Sequence, residues 1–311
     1  MPTVVDVHSH IWAEDWLPER FWDAFVDIAV RQNEKRGEEV DPERIRETYL
    51  PTYWDPDGEK LLERMDEAGI DRQVVFGVDF GLALGEPEVP IQEVNRRLAE
   101  FRDDNPDRIR AFATIDPRRR GAADHIETAL SDWDMDGLKL HPTAGFYHHD
   151  PETYRLLEVV RRHDVPMLTD TGPIFAPLYS KYSHPKNLDE VLSDFPDLDI
   201  VAAHMSFEWW RDLHAVAVNK VNTNLYVDIS GWQERCKHRP EEFATAVRRL
   251  MDAVGSDRML FGTDDPAFDP VHPKEEWLEN VRTLADRDEE PTFTETEIDR
   301  LLGQNALDLL A

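Results

Sequence analysis

Short apolar runs alternate along this chain with longer stretches of helical periodicity. The first run, Val4-Val5-Asp6-Val7, leads into His8-Ser9-His10 and reads as a strand. Further runs rich in β-branched and aromatic residues predict strands at Gln73–Val78, Ile109–Ile115, Gly137–His141, Pro166–Asp170, Ile200–His204, Leu225–Ser230 and Met259–Thr263. Their ends recur about every 30 residues, room for one strand, one helix and two short loops. Alternating β and α elements imply a parallel sheet, and eight such units favour an α/β fold of the closed (β/α)8 TIM-barrel type. A doubly wound open sheet is the alternative, but no G-x-G-x-x-G turn follows the first strand.

Between the strands the helices carry their own punctuation. Asp150 and Pro151 open one, with His163 in its last turn before Pro166, and Pro240-Glu241-Glu242 begins another that stops at Gly255. Thr294 and Glu297 have the spacing of a capping box for a final helix. The stretch from Ile11 to Asp71 breaks the rhythm and holds Trp12, Trp16, Trp22, Tyr49, Tyr53 and Trp54. It reads either as a helical insertion folded over the barrel mouth or as an outer layer that only packs. The expectation is one domain over residues 1–311, with the insertion spanning about residues 12–71 after strand one.

Composition narrows the setting. The chain has 65 acidic and 35 basic residues, a net charge of −30, and lysine only at positions 35, 60, 139, 181, 186, 220, 237 and 274. Acid spread through the whole chain repels nucleic acid and anionic membranes, and suits a salt-rich cytoplasm in which self-repulsion is screened. No apolar run is long enough for a membrane span, and no basic, signal-like segment precedes Thr3. Cys236 is the single cysteine, so no intrachain disulfide forms, as suits a reducing compartment.

The chemistry gathers at strand ends. Side chains two apart on a strand share a face, so Val4, Asp6, His8 and His10 are expected on one side, with two imidazoles side by side as a chelating pair. In a (β/α)8 barrel the working residues stand at the C-terminal ends of the strands. Lys139 and His141 end strand four, Asp170 strand five, His204 strand six, and Asp264-Asp265 strand eight. That placement predicts a metal-dependent active site.

The segments "VVDVHSHIW", "GLKLHP", "VPMLTDTG", "IVAAHMSFEWW", "LYVDISGW" and "MLFGTDDP", with the closing "GQNALDLL", resemble the amidohydrolase superfamily. The branch most similar is the amidohydrolase-related one that includes aminocarboxymuconate-semialdehyde decarboxylase and related nonoxidative decarboxylases. The resemblance implies a TIM barrel with one divalent metal, often zinc or manganese, held by His8, His10 and Asp264. It also implies that His204 polarises substrate or relays protons. The chain departs from the family pattern at Asp170, where a metal-binding histidine is usual. Asp170 is then either a fourth ligand or a hydrogen-bonding residue. As a ligand it makes the set harder, which moves preference from zinc toward Mn²⁺, Fe²⁺ or Mg²⁺.

Other residues complete the expected site. Lys139 contributes charge or packing, or becomes carboxylated and bridges two metals as in binuclear relatives; His141 contacts substrate or relays a proton. Asp6 is expected behind an imidazole N–H, and Asp265 in the loop. Trp12, Phe207, Trp209, Trp210 and Trp232 are expected around the mouth, with Arg118, Arg119 and Arg120 after strand three; Arg118 is the one expected to approach the site. Such aromatic walls beside a guanidinium suit a planar small molecule bearing a carboxylate. His148, His149, His184, His238 and His272 read as solvated loop or helix-start residues. The primary reading is a metal-dependent hydrolase of amides, esters or lactones, with His204 and Asp264 catalytic. The alternatives are a nonoxidative decarboxylase of an aromatic or unsaturated acid, and a catalytically silent metal- or metabolite-binding barrel. A homo-oligomer is compatible with the sequence.

Overall fold

The structure is a computed structural model that describes residues 2–268 and 272–311. Eight strands run β1 (Val5–His10), β2 (Arg72–Phe76), β3 (Ile109–Thr114), β4 (Gly137–Leu140), β5 (Met167–Thr169), β6 (Ile200–Ala202), β7 (Leu225–Asp228) and β8 (Met259–Leu260). They lie side by side in sequence order, every paired neighbour parallel, with helices between them. This is the (β/α)8 barrel expected. The seam between β8 and β1 is closed by three backbone hydrogen bonds: Val7 N–H to Phe261 at 2.9 Å, Asp264 N–H to His8 at 2.8 Å and His10 N–H to Asp265 at 2.6 Å.

Period-2 alternation builds two cores. Val5, Val7, Val74, Phe76, Phe112, Leu168 and Val201 fill the barrel interior, which Ala306 of the last helix helps to close. Val4, Val75, Ala113, Met167 and Ile200 point outward into the larger layer beneath the helices. The simple alternation expected of β1 does not hold, because its register against β2 shifts between Asp6 and Ser9. A bulge re-aims the side chains beyond it. Val4 and Asp6 stay on the outer side, whereas His8 enters the barrel and packs edge-on against Phe76, ring centroids 5.1 Å apart.

The strands are shorter than the apolar runs suggested. β5, β6 and β8 stop before Asp170, His204 and Asp264, which stand on the loops just beyond. Helix punctuation matches more closely. Helix Pro151–His163 begins at Asp150, helix Pro240–Val254 stops at Gly255, and Thr294 and Glu297 form the capping box. The insertion holds helices Glu19–Lys35 and Pro42–Thr48 and a 3-10 turn at Leu50–Tyr53. Trp12 fixes it to the barrel mouth, packing against Phe21, Phe25 and Tyr53 at 5.6, 5.6 and 6.0 Å. Helix Glu59–Ala68, within the same stretch, returns to the outer layer beside helix Lys274–Arg282. Among the described residues no helix is long and apolar enough to cross a membrane.

Candidate metal centre and active site

His8 is fully buried, and its Nδ1 donates to Asp228 Oδ2 at 2.9 Å. That bond fixes the tautomer and leaves the Nε2 lone pair facing the centre of the barrel mouth. Burial, joined by the charge of Lys139, takes the His8 pKa down to about 4, so the ring is neutral and free to bind a cation. His8 Nε2 lies 3.7 Å and His10 Nε2 3.3 Å from Asp264 Oδ1. The ligand atoms of these three residues all fall within 4.8 Å of one another. Burial opposes the charge of Asp264, yet the His10 hydrogen bond and the neighbouring imidazoles hold its pKa below the usual carboxylate range. Two imidazole nitrogens and a carboxylate oxygen converging this way suit a divalent transition metal.

A second group, His8, Asp170 and His204, meets the same 4.8 Å limit and shares His8 with the first. Here a cation is already supplied. The buried Lys139 ammonium donates to Asp170 Oδ1 at 2.8 Å and to His8 Nε2 at 3.2 Å, and lies 4.7 Å from the Phe76 ring centre. Asp170 Oδ1 is also 3.5 Å from His204 Nε2. Against the cost of burial, Lys139, His141 and His204 hold the Asp170 carboxyl well below its ordinary pKa. Burial lowers the His204 pKa, but the bond to Asp170 and the charges of Asp264 and Asp228 raise it above the ordinary value.

The loop that carries His204 is unusual. His204, Met205, Ser206 and Phe207 have φ of 62°, 43°, 59° and 49°, four consecutive non-glycine residues in the left-handed region. Each costs roughly 1–2 kcal/mol relative to right-handed backbone, so the surroundings must hold the turn. Asp228 Oδ1 accepts from the His204 N–H at 3.0 Å, Trp232 Nε1 donates to the His204 carbonyl at 2.5 Å, and Ser206 Oγ donates to Thr171 Oγ1 at 2.8 Å. Phe207 stacks on the His204 ring at 4.7 Å. Gly172 and Gly231 leave room for Phe207, since a Cβ on either would come within 2.8 or 2.7 Å of its ring.

A cavity of about 640 Å³ opens above the centre, floored by His10, Asp170, His204 and Asp264. Trp12, His141 and Phe207 line it, as expected. His141 is buried, its Nδ1 3.5 Å from Thr114 Oγ1 and its Nε2 without a partner among the described residues. The insertion supplies Tyr53, one of its expected aromatics, to the wall, together with Phe21 and Phe25, which the sequence did not single out.

Other expected site residues lie elsewhere. Arg118 does not line the cavity: Asp116 holds its guanidinium, Nε to Oδ1 at 2.9 Å, and the Ala144 carbonyl accepts from Nη2 at 2.9 Å. Arg119 is paired with Asp79 and Glu86. Trp232 is buried behind His204, where it positions the loop without reaching the cavity. Trp209 packs on His184, and Trp210 lies beneath Arg211. Asp6 does not sit behind an imidazole; it accepts from Gln73 Nε2 at 2.7 Å, from Thr263 N–H at 3.0 Å and from the His8 backbone at 3.0 Å. Asp265 is buried between Arg64 and Lys274, at 2.9 and 2.8 Å. His148 and His272 are buried, not solvated. Asp228 ends β7 but is not among the expected residues, because the apolar run predicts that strand to continue to Ser230.

Three solved structures share the fold along essentially the whole chain. An uncharacterized TIM-barrel protein from Bordetella bronchiseptica has 24% identity and a TM-score of 0.68, covering 99% of this chain and 98% of its own. A variant of 5-carboxyvanillate decarboxylase from Novosphingobium aromaticivorans, with bound manganese and 3-methoxy-4-hydroxy-5-nitrobenzoic acid, has 14% identity and a TM-score of 0.66, covering 99% and 97%. A probable 2-pyrone-4,6-dicarboxylic acid hydrolase from Acinetobacter baumannii, with citric acid bound, has 13% identity and a TM-score of 0.66, covering 99% of each chain. The family model described as "Amidohydrolase" matches residues 5–311. The barrel, its strand-end histidines and aspartates and this match along the chain agree: the protein belongs to the amidohydrolase family.

Proposed function

We propose that the chain is a metal-dependent hydrolase acting on the carbonyl of an amide, ester or lactone with a flat, apolar body. The observation that carries this reading is the meeting of His8, His10 and Asp264 beneath an aromatic-walled cavity. These three residues would hold one divalent ion, with Asp170 as the fourth ligand, the ion replacing the Lys139 ammonium that donates to His8 Nε2 and Asp170 Oδ1. Bound there, zinc (or manganese, iron or magnesium, which the second carboxylate favours) supplies Lewis acidity and lowers the pKa of water toward neutrality. Asp264 accepts the proton of the attacking water and returns it to the leaving group. His204, across the cavity floor, steadies the charge that develops on the carbonyl oxygen. The free Nε2 of His141 orients the substrate, and the insertion keeps bulk water from the reacting atoms.

A second reading is nonoxidative decarboxylation of an aromatic or unsaturated acid. It is supported by the aromatic wall and by the decarboxylase bound to a substituted benzoic acid among the structural relatives. There His204 or Asp264 delivers a proton to the ring carbon, and the carbon–carboxylate bond breaks to release CO2. We place the enzyme in a salt-rich cytoplasm, which the net charge of −30 and the single cysteine suit. Elemental analysis of protein purified in high salt, followed by a panel of amides, esters, lactones and aromatic acids, tests both readings. Hydrolysis products without CO2 are expected. Liberated CO2 would establish the decarboxylase, and a metal-loaded protein inert on the whole panel would leave a binding barrel.

A further inference from the structure

We propose that the cavity takes an elongated substrate whose far end carries an anionic group, a carboxylate or a phosphate, held at the mouth by Lys35 and Arg36. The proposal rests on the reading of this cavity as the substrate site. It begins with helix Glu19–Lys35, which presents Phe21, Phe25, Ile28, Ala29, Gln32 and Lys35 to the cavity, followed at once by Arg36. Steps of three and four residues put these side chains on one stripe of the helix. Along the stripe the chemistry changes from aromatic to aliphatic, then to an amide, then to two cations.

The two ends of the stripe are far apart. Phe21 packs on Trp12 at 5.6 Å and Trp12 on His10 at 5.3 Å, which fixes the aromatic end beside the metal centre. At 1.5 Å of rise per residue, Lys35 lies about 20 Å farther along the helix axis. A molecule reaching from one end to the other therefore needs a reacting group, an apolar middle and a polar terminus, in that order.

The setting of the cations supports a bound anion. Lys35 and Arg36 are exposed and enter no ion pair with a described residue. Lacking an ion pair does not by itself single them out, since Arg20, Arg31 and Arg44 of the insertion also form none among the described residues, whereas Arg46 is paired with Asp23; what sets Lys35 and Arg36 apart is that they line the cavity. A helix C-terminus favours cations in any case, which accounts for their type. It does not account for their place on the stripe that faces the cavity. An exposed ammonium and guanidinium side by side recognise a carboxylate or a phosphate oxygen equally well.

The test is calorimetric titration of the metal-loaded protein with three probes long enough to span the stripe: 10-phenyldecanoate, 10-phenyldecyl phosphate and neutral 10-phenyldecanamide. At least one anionic probe should bind about five- to tenfold more tightly than the amide. Which of them does so decides between carboxylate and phosphate. The preference should fall to near unity in Lys35→Met/Arg36→Met and reverse in Lys35→Glu/Arg36→Glu. Equal binding of all three probes to the wild type overturns the proposal. So does a preference that survives in the double methionine variant, because the anion would then sit at the metal centre. Probe preference and turnover of the hydrolase panel are separate readouts. An intact preference with no hydrolysis would refute the reaction and leave the anion site standing.

Discussion

At the scale of single residues, one carboxylate sets two imidazoles. Asp228 Oδ2 accepts from His8 Nδ1, while Oδ1 accepts from the Ser230 hydroxyl and from the His204 N–H. Having given its proton to Asp228, Ser230 Oγ can only accept from His204 Nδ1, 2.9 Å away. Both Nε2 atoms are thereby left facing the cavity centre. Asp228→Asn can present an N–H where His8 needs an acceptor, so metal affinity should drop about 10–100-fold with the fold retained. Chelator competition measures this, and an unchanged affinity would show that Asp228 does not orient His8.

The two neighbouring carboxylate positions should separate cleanly. Asp170→Asn should weaken metal binding and also lower stability, because it takes the paired carboxylate from the buried Lys139. Asp265→Asn should keep the metal but lower thermal stability, because it removes half the pairing of the buried Lys274 at a cost of about 3 kcal/mol. Metal content and melting temperature on the same preparations decide it, and equal metal occupancy in both variants removes Asp170 from the ligand set. Much of the centre is legible in the sequence, because strand-end positions advertise polar residues: His8, His10, His141, Asp170, His204 and Asp264 all meet at the mouth. Asp228 is not, since it stands between Val227 and Ile229 and reads as strand interior. Arg118 misled, because nothing in periodicity says that Asp116 folds back onto it.

At the scale of elements, loops hold what periodicity cannot foresee. The bulge in β1 carries no sequence signal of its own, yet it sends His8 inward and leaves Asp6 outside. The left-handed turn at His204–Phe207 contains no glycine; the room for it comes from Gly172 and Gly231 on two other loops. The loop after β4 gives a measurable case. It buries His148, whose Nε2 lies 2.9 Å from Thr169 Oγ1 and whose Nδ1 has no partner among the described residues. Burial, then the charge of His149, lowers its pKa to about 3. The unfolded chain takes up this proton near pH 6.5 and the folded chain does not. The contribution to stability is therefore complete above that pH and is lost as pH falls toward 3, at up to about 1.4 kcal/mol per pH unit. Denaturant midpoints at pH 7 and pH 4 should differ less in His148→Gln than in the wild type; identical pH dependence would show that His148 is protonated in the fold.

At the scale of the whole molecule, charge sets the working conditions. A net charge of −30 leaves strong self-repulsion in dilute buffer, and at molar salt the Debye length contracts to about 3 Å. The melting temperature should rise from dilute buffer to molar KCl, and equal midpoints would refute salt adaptation. The barrel was legible at this scale because eight repeats of one pattern outvote errors at any single boundary. The path of the insertion was not, because aromatic residues read alike whether they pack a layer or wall a cavity.

The seam of the barrel has a consequence for biogenesis. Thr263 and Asp6, 257 residues apart in sequence, are hydrogen-bonded, and His8 and Asp264 lie on either side of the same closure. As the chain leaves the ribosome, β1 is made first and waits with one edge unpaired until nearly all the rest has been synthesised. A divalent ion held by His8, His10 and Asp264 would need both sides of that closure, so a nascent chain arrested before Asp264 holds His8 and His10 without the carboxylate that would complete their site.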